Sequence, residues 1–365
     1  MEVSYQYDLV KGGESRRIPE DTWVVNVVAI QRGKTHPNRY VIMSGDIDSR
    51  VSDALNSTSD SPGANDNASG VAGVLEAARL LTRYDFANSI IYTGLSGEEQ
   101  GLYGGRHMAR VANETGWAVI GVLNNDMIGN IEGVDGIIKN STFRVFSEPT
   151  PVTESDYQRR RRRFTGGEVD GPSRQLARYV HRITEQYIPN LEAIMIYRLD
   201  RFGRGGHHRP FNDAGIPGVR IMETHENYTR QHQDIRVENE ITYGDVIEGV
   251  NFEYVAKLTA VNATVLASLA WAPPQPAVVR IGGVVRPSTT PAWDRVEDPN
   301  LAGYKVYWLD TTAPQWQYER FVGLVTEHTL ENIVIDNFLF GVASVGKNGN
   351  ESVVVFPSAN IPRRC

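Results

Sequence analysis

The sequence predicts a chain in two parts: an α/β layered domain over roughly the first 270 residues, then a small all-β sandwich. Short apolar runs alternate with segments of helical spacing through the first part. At Ala272–Pro276 the composition changes abruptly to Ala-Pro-Pro-Gln-Pro, and beyond it only short β-type runs broken by turns follow. The chain has 365 residues, more than the ~250–300 at which a single core stops growing, so a division is expected on length as well.

Trp23–Ile30, Tyr40–Met43, Ser89–Thr93 and Ala118–Leu123 read as strands. Gly70–Thr82 places Val71, Val74, Leu75, Ala78 and Leu81 at helical spacing after a Ser-Gly start, giving strand, loop, helix, strand. Ser173–Tyr187 is a second helix, and a third runs roughly from Val246 to Leu269. Asp156–Asp170, with Arg159–Arg163 in a row, reads as a solvated loop, the alternative being a surface for an acidic partner. Residues 272–277 form a stiff linker between a domain spanning 1–271 and one spanning 278–365. In the latter, Lys305–Leu309, Phe338–Val345 and Ser352–Phe356 read as strands, and the segment resembles a fibronectin type III module. That resemblance makes Trp293 its core tryptophan and Gly303–Tyr307 a central strand, with Tyr304 in the core.

Composition excludes several function classes. Hydrophobic residues at 41% and charged residues at 22% fit a globular protein and argue against disorder. The net charge of -7 gives no basic footprint for nucleic acid. Cys365 is the only cysteine, so no disulfide forms within the chain and any metal must be held by His, Asp or Glu. No apolar run of ~18 residues and no signal-peptide pattern appear, so no membrane association is expected. The mature form of a secreted protein would read the same way.

Candidate chemistry is concentrated in four segments: Met43-Ser-Gly-Asp46-Ile-Asp48-Ser49, Pro62-Gly-Ala-Asn-Asp66-Asn-Ala-Ser-Gly70, Ser96-Gly-Glu98-Glu99-Gln-Gly101 and Asn124-Asn125-Asp126-Met-Ile-Gly129. Three follow predicted strands, and Asp66 precedes the first helix in a Gly-rich loop, where its alternative role is a helix cap. Adjacent acids on a loop point in different directions, so one of Glu98 and Glu99 can ligate a metal while the other faces an attacking water. Carboxylates gathered on one rim repel each other unless a cation neutralises them.

These motifs, in this order and spacing, resemble the M28 family of zinc peptidases over most of residues 20–270. The resemblance implies a three-layer α/β/α domain with a mixed, largely parallel central sheet. It also implies two zinc ions: Asp66 bridging them, Glu99 and His232 completing one site, Asp126 belonging to the other, and Glu98 as general base. Substrates would be peptide or protein N-termini, and the compartment secreted or periplasmic. The partner of the second domain is not readable, and a chain ending near Ala272 is expected to fold and hydrolyse small substrates alone.

Three departures from the family pattern stand out. Asp46 occupies the place of a histidine ligand, which an aspartate matching Asp48 would orient. In Gly205-Gly206-His207-His208, His207 replaces an aspartate, so His207 and Asp46 are together candidates for rebuilding the first metal site, with His208 as a support; the alternative is that His207 only hydrogen-bonds a ligand carboxylate and the first site is weak or empty. Gln231 stands where many members carry an oxyanion-stabilising tyrosine, a role Tyr228 could take. Besides a di-zinc aminopeptidase, two readings stay open: a single-metal enzyme of the glutaminyl cyclase kind, and a non-catalytic binding protein with a peptidase fold.

Overall fold

The computed structural model describes residues 1–361, so Cys365 and the last residues of the second domain lie outside the described residues. The first part of the chain is built on one eight-stranded sheet. Its strands are β1 (Glu2–Val10), β2 (Thr22–Gln31), β3 (His36–Asp46), β4 (Asn88–Leu95), β5 (Ala118–Asn125), β6 (Thr142–Ser147), β7 (Glu192–Ile196) and β8 (Gly218–Glu223). They lie in the order β1-β2-β4-β3-β5-β8-β6-β7. β3 pairs in parallel with β4 and β5, and β5 with β8; β2 is antiparallel to β1 and β4, and β6 is antiparallel to β8. The sheet is therefore mixed with a parallel centre.

Seven helices accompany it: α1 (Ala68–Leu81), α2 (Glu98–Gly101), α3 (Tyr103–Glu114), α4 (Asp156–Thr165), α5 (Pro172–Tyr187), α6 (His208–Asp213) and α7 (Phe252–Trp271). Alternate strand residues point to opposite faces. Val41 and Met43 thus pack with Val74 of α1, Leu176 of α5 and Leu258 of α7, while Tyr40 and Ile42 pack with Met108 of α3 and Phe211 of α6. With both faces covered, the central strands are unbroken apolar runs. No helix among the described residues is long and apolar enough to cross a membrane.

Two predicted elements differ. α7 begins at Phe252 rather than Val246, because the Asn251 side chain caps it by accepting from the Tyr254 amide. The stretch expected as a loop over Asp156–Asp170 contains α4, started by a capping box of Ser155 and Gln158 and carried by arginine, a good helix former. None of its residues is buried, so it lacks the apolar spacing by which a helix is recognised.

A short hairpin, β9 (Arg236–Glu238) with β10 (Ile241–Tyr243), precedes α7. After α7 come β11 (Val279–Gly282), β12 (Thr290–Trp293), β13 (Leu301–Asp310), β14 (Tyr318–Gly323), β15 (Phe338–Gly346) and β16 (Ala359–Asn360). They form two three-stranded sheets, β12-β11-β16 and β14-β13-β15. Val279 and Trp293 from one sheet share a core with Tyr304, Val306 and Phe340 from the other, and the Trp293 and Tyr304 ring centres are 5.3 Å apart. Ser352–Phe356, expected as a strand, makes an isolated bridge through Val355 to Val342.

The junction between the two parts is not a free spacer. Ala272 and Pro273 are buried, and the Asn88 amide donates to the carbonyls of Leu269 and Ala272, each at 2.9 Å. Val353 belongs to the same core as α5 and α7. Arg182 of α5 is held by Glu351 at 2.6 Å, and Arg178 donates to the Pro314 carbonyl at 2.9 Å.

Candidate metal centre

The central parallel strands deliver their acids to one rim. Asp46 ends β3, Glu98 follows β4 and Asp126 follows β5, the carboxyl ends at which open α/β sheets bind ligands. Asp66 comes from the loop before α1. A Cβ on Gly45 would lie 2.6 Å from the Gly70 backbone, and one on Gly70 would lie 2.4 Å from the Asn125 carbonyl oxygen. Glycine at both positions is what seats the start of α1 against β3 and β5.

Glu98 and Glu99 open α2, and their amides donate to the two oxygens of Asp48 at 3.1 and 3.0 Å. Asp48 thus fixes the turn that carries the two glutamates, instead of bracing residue 46 as the resemblance implies.

Asp66, Glu99 and His232 each offer one ligand atom, and all three atoms lie within 4.8 Å of one another. His232 Nε2 is 2.9 Å from Asp66 Oδ2 and 2.7 Å from Glu99 Oε1. Its Nδ1 is 2.7 Å from Arg50 Nη2. A guanidinium can only donate, so Nδ1 accepts and the ring proton sits on Nε2, between two carboxylate oxygens. A cation fits the place that proton takes, and two carboxylates with one imidazole are zinc donors. Arg50 Nε also donates to Glu99 Oε2 at 2.9 Å and so orients that donor, whereas its bond to His232 belongs to the metal-free ring, since an imidazole ligating through Nε2 carries its proton on Nδ1. Sequence reasoning passed over Arg50, whose only signal is its place two residues after Asp48.

Glu98 faces the same cleft, of about 490 Å³, together with Asp126, Tyr228 and Gln231. Burial, then the carboxylates of Asp126, Glu99, Asp46 and Asp66, raise Glu98 well above the usual carboxylate range. Tyr228 is 58% exposed at the rim, free to meet a substrate, while the Gln231 amide is turned to Glu226 at 3.1 Å.

Asp46, His207 and Asp126 lie outside the three-donor group, which is the only one of its kind among the described residues. His207 Nδ1 is 2.5 Å from Asp46 Oδ1, and Asp46 Oδ2 accepts from the Asn67 amide at 2.7 Å. Burial disfavours charge on both partners, raising Asp46 and lowering His207. Asp126 is met by Arg220, a fully buried residue of β8. Its signal in the sequence is one charge inside the apolar run Val219–Met222. His208 donates through Nε2 to the Leu199 carbonyl at 2.8 Å and supports the loop.

Glu226 anchors the arginines beside the cleft. Arg144, Arg201 and Arg204 approach it at 3.2, 3.1 and 2.9 Å. Burial alone would raise its pKa; Arg201, Arg144, the Gln231 amide and Arg204 outweigh burial and pull it from 4.5 down to about 2. The folded value lies below the unfolded one, so the stabilisation is complete above pH 4.5 and lost as pH falls towards 2. Glu226→Gln is expected to cost about 3 kcal/mol in urea unfolding at neutral pH, since it leaves buried guanidinium groups without their counter-charge. The difference from wild type should shrink as pH drops through that window; a constant difference would assign the cost to packing instead.

The model for peptidase family M28 matches residues 26–246. A probable zinc metalloprotease of Leptosphaeria maculans is 42% identical over 342 residues, 93% of this chain and 79% of that protein. Another, of Pyrenophora tritici-repentis, is 41% identical over 348 residues, 94% of this chain and 72% of that protein. Among solved structures, LapB from Legionella pneumophila matches with a TM-score of 0.50 at 17% identity, covering 73% of this chain and 59% of that one. A leucine aminopeptidase precursor from Bacteroides thetaiotaomicron matches with a TM-score of 0.50 at 16% identity, covering 73% of this chain and 82% of that one. At that identity the structures speak for the fold alone.

Proposed function

The chain belongs to peptidase family M28, and from that premise we propose that it is a zinc-dependent aminopeptidase with Glu98 as general base. The observation that carries the reading is the convergence of Asp66, Glu99 and His232 beside Glu98 in one cleft. Zinc at those donors supplies Lewis acidity towards the scissile carbonyl and the attacking water. Glu98 accepts the proton of that water as its oxygen adds to the carbonyl carbon, and returns it to the amine as the carbon–nitrogen bond breaks. Asp48 holds Glu98 in place through the α2 amides, and Arg50 keeps Glu99 aimed inward. Tyr228, which lines the cleft and is exposed, would donate to the carbonyl oxygen as it gains charge. The β-sandwich, read as a fibronectin type III-like module, and a secreted or periplasmic home belong to the same proposal.

Aminoacyl anilides test it. Hydrolysis is expected to vanish with a chelator and return with zinc, and N-acetylated anilides should resist. Insensitivity to chelation would remove the metal, equal cleavage of blocked substrates would remove the exopeptidase reading, and ring closure of N-terminal glutamine would move the assignment to the cyclase alternative.

A further inference from the structure

We infer that the chain holds a single metal ion, at Asp66, Glu99 and His232, and that the Arg220 guanidinium provides the second positive charge of the site as a permanent part of the protein. The inference rests on the metallopeptidase reading above and concerns how the carboxylates of the rim are neutralised. Asp46 at the end of β3, Glu98 and Glu99 after β4, Asp126 after β5 and Asp66 before α1 gather on one rim, where like charges repel unless cations lie among them. The three-donor group answers for Asp66 and Glu99.

On the other side, the carboxylates expected for a second ion are already engaged, and of the buried candidate donors there only His207 Nε2 is left without a partner. Both oxygens of Asp46 are used, one by His207 and one by Asn67. His207 gives its Nδ1 to Asp46, and its ring lies against α3 where Gly105 leaves room: a Cβ there would be 2.7 Å from the ring Cδ2. Asp126 Oδ2 is 2.9 Å from Arg220 Nη2, which also donates to the Asp126 carbonyl at 3.1 Å. Arg220 Nη1 binds Asp200 at 3.2 Å and the Gly205 carbonyl at 3.0 Å. Arg201 brings a second guanidinium to 4.0 Å from the same Asp126 oxygen.

The backbone is shaped for this arrangement. A Cβ on Gly206 would lie 3.0 Å from Arg220 Nη1 and 3.2 Å from Asp126 Oδ2, so a side chain there would press on the ion pair. Arg220 comes from β8, which is flanked by β5 and β6, and its charge is therefore held by the sheet. A guanidinium stays charged at every accessible pH, and no chelator removes it. A divalent ion brought to Asp126 would meet like charge from Arg220 at close range in a poorly screened place.

Metal counting tests the inference without an activity assay. Zinc-free protein loaded with excess zinc chloride, desalted and measured by plasma mass spectrometry is expected to retain one zinc per chain. Two per chain overturns the inference and leaves the metallopeptidase reading standing. None removes that reading, and the inference with it. Changes around a metal site cost about 10–100-fold in affinity, so the variants are compared at saturating zinc. D126N is expected to keep its ion, because Asp126 faces a guanidinium; loss of the ion from folded D126N makes Asp126 a ligand and overturns the inference. H232A is expected to hold none, and an ion retained there would also overturn it. If D126N does not fold, the wild-type count still decides.

Discussion

Glu98→Gln is expected to leave a folded, zinc-loaded protein whose turnover falls by ~10²–10⁴-fold or more, the range over which a general base contributes. The amide keeps the shape of the side chain and cannot accept a proton. Glu98 is not among the three donors that converge, so metal content should match wild type. Its neighbours Asp126, Glu99, Asp46 and Asp66 repel its charge, so a neutral amide relieves strain in the metal-free protein. The melting temperature of that form should therefore equal or exceed wild type. A drop in turnover with a matching loss of zinc would make Glu98 a ligand; near-normal turnover would remove it from the chemistry.

Ending the chain at Ala272 is expected to abolish cooperative unfolding, reversing what the Pro-rich junction suggests. The cut takes Val353 out of the core that contains α5 and α7. It also strips Arg182 of Glu351 and Tyr307, and Arg178 of the Pro314 carbonyl. Breaking one buried ion pair typically costs about 3–5 kcal/mol, against a total stability of about 5–15 kcal/mol for a domain. Calorimetry of the truncated chain is the measurement. A sharp transition near the wild-type temperature would show that the first part stands alone. Glu351→Ala isolates the electrostatic share and should lower the melting temperature without ending cooperativity.

Much of the fold was legible because apolar periodicity survives in buried elements. α5 is found within one residue of its predicted start, and β5 begins at the predicted Ala118. α4 was not, since its exposed arginines carry no periodicity and its start is marked only by Ser155 and Gln158. The acids at the strand ends were visible for a different reason: successive parallel strands deliver their carboxyl ends to one rim, so acids following several strands meet in space. The resemblance already groups Asp66, Glu99 and His232 around one cation, the three donors that converge; what the sequence leaves open is how Asp46, His207 and Asp126 are neutralised. Asp46 and His207 were recognised as a pair of unusual residues, but only coordinates show them bonded to each other. Arg50 and Arg220 escaped because a lone arginine has many uses, and their partners lie far along the chain, at His232 and Asp126.

The order of the strands bears on how the site comes into being. Asp66 and Glu99 lie early in the chain and His232 late, and β8, which leads towards His232, is seated between β5 and β6. Such non-local pairing is slow, because the closure entropy of long loops must be met before the contacts form. The three-donor site is therefore expected to be complete only once β8 is in place. An ion that binds a finished fold in this way would stabilise it by mass action, in contrast to small zinc domains, where the metal is what makes the chain fold.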